Sequence, residues 1–382
     1  MNPHVMISDE RQKDALDSIK RVDKDGYLYH MTCDFDYYSL PQEYFSYFDA
    51  GCSTFVVKNT EGEVLFCRNY DYSHFLNNDR SNPRTGLNMI VEGNNPKARY
   101  RTIGVADTYW LDFKNGRIVN GMLDDGKTDL SMFVLAPFLC MDGMNEKGLA
   151  VSILALSVVN EYEEIDFATY EEKLDKNKIN LFLEEAGQQP DPYWLYGSDG
   201  AMVVNKTDRK AWLIHQALIK TTLPGKPSYL HPILMRMVLD NCANVDEALG
   251  LFASGNVRGA MPGADYHIMV ADSTGKSRLI EWIDNQMVVT DINHATNHYV
   301  AKEDKFFPDG CGRDKCLEAG VYRGRNGMSE EYAERLLGLV VQAPDNGMDR
   351  GKTQYSCIYN LNKKTLKIFS FGDMERSWNY QL

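Results

Sequence analysis

The dipeptide Gly51-Cys52 opens the stretch that most constrains how this 382-residue chain folds. Cys52 begins an apolar run through Phe55-Val56-Val57. Asn59-Thr60-Glu61-Gly62 then supplies a polar turn, and Val64-Leu65-Phe66 leads into Arg68-Asn69-Tyr70-Asp71. Two such runs around a short glycine-containing loop predict a β-hairpin. Closing it carries the residues after Phe66 back to Cys52. A thiol, a guanidinium and a carboxylate then meet at the start of the first strand, a grouping with a catalytic rather than a packing purpose.

A thiol attacks as its thiolate, and a fixed cation such as Arg68 lowers the cost of forming one. Arginine accepts no proton, so a base is still required. Cleavage of the Gly51-Cys52 bond supplies one, because a free α-amine titrates at roughly 7.7–8.0 and activation by a terminal amine is an established route. Asp71 is placed to hold that amine. Gly51, without a Cβ, lets its peptide take up the strained geometry that attack by the neighbouring thiol demands. Cys67 falls on the opposite face of the hairpin from Arg68 and reads as a packing residue.

Gly51-Cys52-Ser53-Thr54-Phe55-Val56, with Arg68-Asn69-Tyr70-Asp71 following, resembles the N-terminal nucleophile (Ntn) hydrolases of the choloylglycine hydrolase and acyl-CoA:isopenicillin N acyltransferase group. Further segments agree. Gly143-Met144-Asn145-Glu146-Lys147-Gly148-Leu149-Ala150-Val151 resembles the group's strand-entry motif. Ala295-Thr296-Asn297-His298 resembles its Thr-Asn-His segment, and Gly312-Arg313-Asp314 a further arginine-bearing one. Gln354-Tyr355-Ser356-Cys357-Ile358-Tyr359-Asn360-Leu361 resembles its closing hairpin. The resemblance implies Cys52 as nucleophile, Arg68 and Asp71 beside it, and Asn297 as side-chain donor to an oxyanion. Arg313, preferred over Lys315, is the last arginine. A backbone N–H at Ala155 would be the second oxyanion donor, at a place where relatives usually carry Asn or Tyr. Asn145, His294 and His298 read as structural.

What the resemblance implies for activity is hydrolysis of a linear, non-peptide amide C–N bond with a bulky acyl part. Examples are a conjugated bile acid, a penicillin V-type amide or an N-acyl amino acid or amine. An acyltransferase passing the Cys52 thioester to an amine acceptor would share every catalytic residue. A Cys/His enzyme using His298 or His294 without maturation is the rival from a different class. The resemblance further implies a homo-oligomer.

The rest of the chain is consistent with one enzyme-sized unit. Its 43% hydrophobic content suffices for a large core, and no low-complexity linker or repeat divides it. Residues 1–51 are expected to be a propeptide removed autocatalytically and residues 52–382 the catalytic domain. A net charge of −13 without a basic cluster argues against nucleic acid or anionic membrane as partner. The acidic residues between Glu161 and Glu172 read as an exposed insertion, and the aromatic loops at 72–76 and 193–196 read equally as acyl-pocket walls or as core. The first ten residues lack the basic and apolar regions of a signal peptide. The apolar run Met132–Met141 contains Pro137 and is far short of a bilayer span. A cytoplasmic protein with its eight cysteines reduced follows. Cys311-x4-Cys316 and His294-x3-His298 have loosely metal-like spacing, but no second pair completes a tetrahedral site. No metal or cofactor is expected.

Patterning predicts strands at 52–58, 63–69, 88–92, 100–105, 149–155, 200–205, 210–215, 265–271, 277–283, 286–290 and 296–300, and a last hairpin over 355–371. It predicts helices over Asp9 to Val22, 228–242, 245–254 after an Asn244 cap, and Ser329 through Val341. Many antiparallel-type strands broken by a few helices make an α+β fold of two sheets between helical layers. The resemblance sharpens this to a four-layer αββα sandwich with two antiparallel sheets.

Overall fold

The hairpin forms as its pattern requires. In the computed structural model β3 (Gly51–Lys58) and β4 (Val64–Asp71) pair antiparallel, with Cys52 opposite Tyr70 and Thr54 opposite Arg68. The Asn59 carboxamide oxygen accepts the N–H groups of Glu61 and Glu63 and closes the turn, which Gly62 completes at φ +82°. The structure describes residues 7, 9–24, 27–40, 51–71, 88–108, 123, 130–157, 226–258, 264–283, 286–304, 307–342 and 353–382. The strands expected at 200–205 and 210–215, the acidic stretch at 161–172 and the aromatic loops at 72–76 and 193–196 lie outside the described residues.

The hairpin belongs to a six-stranded antiparallel sheet. Its order is β14 (His294–Ala295), β3, β4, β15 (Thr353–Asn360), β16 (Thr365–Ser370) and β17 (Ser377–Gln381). Facing it is a nine-stranded sheet. In spatial order this runs β1 (Lys20–Arg21), β2 (Leu28–Cys33), β5 (Asn88–Gly93), β6 (Thr102–Asp107), β7 (Cys140–Asn145), β8 (Ala150–Ser157), β11 (Ala264–Ala271), β12 (Ser277–Ile283) and β13 (Gln286–Thr290). A parallel pair, β9 (Ser228–Leu230) and β10 (Asn256–Arg258), stands apart.

Alternation within the hairpin sorts residues between two interfaces. Cross-strand partners share a face, so Cys52, Val56, Phe66 and Tyr70 look inward and join the core between the sheets. Phe55, Val57, Leu65 and Cys67 look outward, where Leu317, Val321, Leu336 and Leu337 cover them. Those four belong to α4 (Gly312–Arg323) and α5 (Glu330–Leu339). On the far side, α2 (His231–Asn241) packs on β7 and β8, and α3 (Val245–Ser254) on β11. Helix, sheet, sheet, helix is the observed layering, the four-layer sandwich expected above. Among the described residues no helix is long and apolar enough to cross a membrane.

Four expectations need correction. The helix expected over Asp9 to Val22 ends at Asp17, and Lys20 and Arg21 pair with β2 instead. The larger sheet is not wholly antiparallel, because β2 and β5 run parallel. The hairpin β3–β4 that follows β2 leaves for the other sheet, and a parallel pair needs a long crossover of that kind. The segment expected as a strand at 296–300 is irregular, with the short β14 before it. Its backbone is instead held by His267 and Glu281. The helix expected over 228–242 begins only at His231, with Pro232 in its first turn, because residues 228–230 pair with β10.

Residues before Gly51 are part of this architecture. After α1 (Glu10–Asp17), β2 lies between β1 and β5, and Tyr29, Met31, Cys33 and Tyr37 retain 0% exposure. Tyr37 and Tyr38 each donate to Asp240 of α2 at 2.7 Å.

Candidate active site

Cys52, at the head of β3, is fully buried. Its sulfur accepts a hydrogen bond from Arg68 Nη2 at 2.9 Å, and its S–H faces the carbonyl of Ile153 on β8 at 3.6 Å. Its main-chain atoms are gripped by side chains. The backbone N–H donates to Asn297 Oδ1 at 2.7 Å, and the carbonyl oxygen accepts from Arg313 Nη1 at 3.0 Å. Arg313, in the first turn of α4, also donates to Asp71 Oδ2 at 2.9 Å and to Asn297 Oδ1 at 2.8 Å. Thr353 Oγ1 holds the other Asp71 oxygen at 2.5 Å. The five expected site residues, Cys52, Arg68, Asp71, Asn297 and Arg313, are therefore brought together in one connected network.

Their placement follows from the sheet. Thr54 pairs with Arg68 and Gly51 with Asp71, so the guanidinium lies on the inner face beside the thiol while Asp71 takes the other face at the strand end. There α4, packed outside the sheet, delivers Arg313. Asn297 comes from the irregular stretch after β14, which pairs with β3 through Ala295 and Thr54. The Asn297 Nδ2 donates to the carbonyl of Ala155 at 2.7 Å. Only this orientation of the carboxamide gives a donor–acceptor pair at each of its contacts with Cys52, Arg313 and Ala155. Asn297 was expected to present Nδ2 to an oxyanion; in the uncleaved chain its oxygen instead holds the Cys52 nitrogen.

The electrostatics differ from those of a preformed thiolate. Burial pushes the Cys52 thiol up to about 12, and the charges of Arg68 and Arg313 oppose this only in part. Burial likewise pushes the Asp71 carboxyl up to about 6, against the pull of Arg313, Thr353 and Arg68. Arg68 alone does not ionise the sulfur, so a proton acceptor close to it is required.

Asp142 was not anticipated. It sits on β7, in the opposite sheet, with its carboxylate 2.8 Å from Arg68 Nε, and both side chains have 0% exposure. The contact is an ion pair by distance, set off the N–H direction. Tyr355 and Tyr359 donate to the same carboxylate at 2.5 Å each, and Cys357 at 3.6 Å. These three lie at alternate positions on one face of β15, beside β4. Their odd-numbered spacing in Tyr355-Ser356-Cys357-Ile358-Tyr359 was the available signal: polar groups repeated on one buried face need a common acceptor.

The remaining candidates make other contacts. Asn145 accepts from the N–H groups of Lys147 and Leu149 and donates to the carbonyls of Leu239 and Cys242, tying the β7–β8 turn to α2. His294 and His298 lie 3.7 Å from the two oxygens of Asp314. Cys67 packs under α4 and α5.

No family model and no curated protein matches the chain. Solved structures do. A variant of the conjugated bile acid hydrolase from Clostridium perfringens superposes with TM-score 0.49 at 14% identity, over 86% of this chain and 92% of that one. A second variant of that hydrolase gives TM-score 0.49 at 14% identity, over 87% and 92%. Penicillin V acylase from Agrobacterium tumefaciens gives 0.45 at 14% identity, over 84% and 83%. At that identity residue roles do not transfer, and the chemistry is read from this chain's own side chains.

Proposed function

We propose that the chain is a cysteine-nucleophile amidase that matures by self-cleavage at Gly51-Cys52 and hydrolyses the C–N bond of a linear N-acyl amide. The observation that carries this reading is the grip on the main chain of Cys52. A nucleophile acting through its side chain alone needs only its sulfur positioned. Here Asn297 holds the backbone nitrogen and Arg313 the backbone oxygen, as suits a residue whose own nitrogen becomes the base.

In the first step the sulfur adds to the Gly51 carbonyl and the C–N bond breaks. The S–H proton passes to the leaving Cys52 nitrogen, and a thioester results. Water hydrolyses it, leaving a Gly51 carboxylate and a free α-amine. That amine has a pKa near 7.7–8.0 in water, roughly matched to neutral pH. It takes the thiol proton as sulfur attacks the substrate carbonyl, then returns it to the departing amine. A second water resolves the new thioester. Arg68 offsets negative charge at sulfur, while Asp71 holds Arg313 against the Cys52 carbonyl. Conjugated bile acids and penicillin V-type amides, on which the bile acid hydrolase and penicillin V acylase act, are the first to assay, with the cytoplasm as the expected compartment.

Replacing Cys52 by Ala should give an uncleaved chain with no amide turnover. Intact-mass measurement of a fully active preparation still starting at residue 1 would refute maturation. Product partition with and without an added acceptor amine separates hydrolysis from acyl transfer.

A further inference from the structure

Six of the eight cysteines are buried, while Cys311 and Cys316 are partly exposed. Cys311 occupies the N-cap of α4, two residues before Arg313. Its sulfur is 3.3 Å from Thr296 Oγ1, which is in turn 2.9 Å from His298 Nδ1. The position of Thr296 is fixed independently, since buried His267 bonds its carbonyl through Nε2 at 2.7 Å.

A threonine hydroxyl has one proton to give. If His298 Nδ1 lacked a proton it would take that of Thr296. With the ring doubly protonated, Nδ1–H donates to Thr296 Oγ1, and the hydroxyl proton is left for the sulfur. The charges around the ring favour the second arrangement. Asp314 lies 3.7 Å from His298 Nε2, and Asp304 adds to its field. Burial acts against it, as does the neighbouring His294 ring, which lies 3.7 Å from the other Asp314 oxygen.

We propose that Cys311 is a second reactive thiol, charged as the end of a His298–Thr296–Cys311 relay, and that it is a site of oxidation by hydroperoxides. The electrostatics agree with the geometry. Burial opposes the charged sulfur, but the His298–Thr296 pair and the charge of Arg313 outweigh it and hold the thiol down at about 6. The Asp314 backbone N–H, aimed at the sulfur without full hydrogen-bond geometry, adds to this. Among the described residues no group of three or more His, Cys, Asp or Glu is arranged to hold a metal ion.

The reaction balances with the groups present and one peroxide. The Cys311 thiolate attacks one peroxide oxygen, an S–O bond forms and the O–O bond breaks. The leaving hydroxide or alkoxide takes the proton held by the His298 imidazolium. Sulfur is oxidised to a sulfenic acid, and the peroxide is reduced to water or an alcohol.

Cys316 is the internal control, being a partly exposed thiol on the same helix. The full chain is alkylated with iodoacetamide at a series of pH values, and each cysteine peptide is quantified by mass spectrometry. Cys311 should react at least about tenfold faster than Cys316 at neutral pH, and His298→Gln should raise its half-labelling pH by about one unit. After hydrogen peroxide, dimedone should tag Cys311 and not Cys316. Equal rates for the two cysteines, a labelling curve indifferent to His298→Gln, or no dimedone adduct on Cys311 would overturn the assignment. The wild-type comparison decides even if the variant misfolds. Because the readout is the sulfur itself, the outcome does not depend on what Cys52 does.

Discussion

Asp71 is the site residue whose titration falls nearest neutrality. Its folded-state value of about 6 lies above the roughly 3.9 of an exposed aspartate, and the first cause is burial. The folded chain therefore binds the Asp71 proton more tightly than the unfolded chain does. The stability this contributes is complete below about pH 4 and is lost as pH rises through about 6. Function runs the other way, because the ionised carboxylate is the form that holds Arg313. Self-cleavage of the uncleaved chain, followed by intact mass, should slow as pH falls through about 6. Asp71→Asn should remove that limb and cut the rate at all pH values. A limb that persists in Asp71→Asn assigns it to another group. Cys52, Arg68 and Asp71 were legible in the sequence because a hairpin makes their contacts local: cross-strand register follows from the turn. Asn297 and Arg313 were legible only by resemblance. Asp142 was not, since nothing local relates a carboxylate on one sheet to a guanidinium on the other.

Elements were legible where their own residues decide them. Asn244 and Ser329 accept from Glu247 and Tyr332 as caps should, and the helices after them begin where expected. Two elements gave little warning. In α4 only Leu317, Gly320 and Val321 are buried, a stripe too narrow to register as amphipathic. The β7 sequence Cys-Met-Asp-Gly-Met-Asn lacks β-branched residues, and pairing with β6 and β8 makes it a strand. The β7–β8 turn depends on Gly148 at φ +81°, where an added Cβ would lie 2.2 Å from the Leu361 carbonyl oxygen. Gly148→Ala should cost at least about 1–2 kcal/mol, visible as a lower Tm. A second prediction concerns β2. If maturation cuts before Cys52, residues 1–51 still contribute an internal strand with four fully buried side chains and two tyrosines bonded to Asp240. Stripping that strand would expose β5 and orphan the buried Arg236–Asp240 pair. The fragment should co-migrate with the 52–382 portion in native mass spectrometry and separate only on denaturation. A native mass equal to residues 52–382 alone would contradict this.

At the scale of the molecule the site is a joint between layers. Cys52 and Arg68 lie on one sheet, Asp142 on the other, and Arg313 comes from the outer helical layer, so the geometry of the site depends on how the two sheets stack. Burial pushes the Asp142 carboxyl up while Arg68 and the two tyrosine hydroxyls pull it down. Asp142 is thus the counter-ion that makes a fully buried arginine tolerable, and a positioning residue for the guanidinium at the sulfur. Removing one partner of such a pair costs about 3–5 kcal/mol, whereas replacing both by apolar groups is often near neutral. Asp142→Asn should therefore lower stability in urea unfolding by that order. Arg68→Met combined with Asp142→Leu should recover part of the loss, limited by the Tyr355 and Tyr359 hydroxyls left without their acceptor. Activity should follow a different order. Asp142→Asn keeps Arg68 and should retain residual cleavage, while the stabler double variant should have none. If stability and activity instead fall and recover together across this pair, Asp142 serves only to cement the sheets, and the placement of Arg68 at the sulfur does not depend on it.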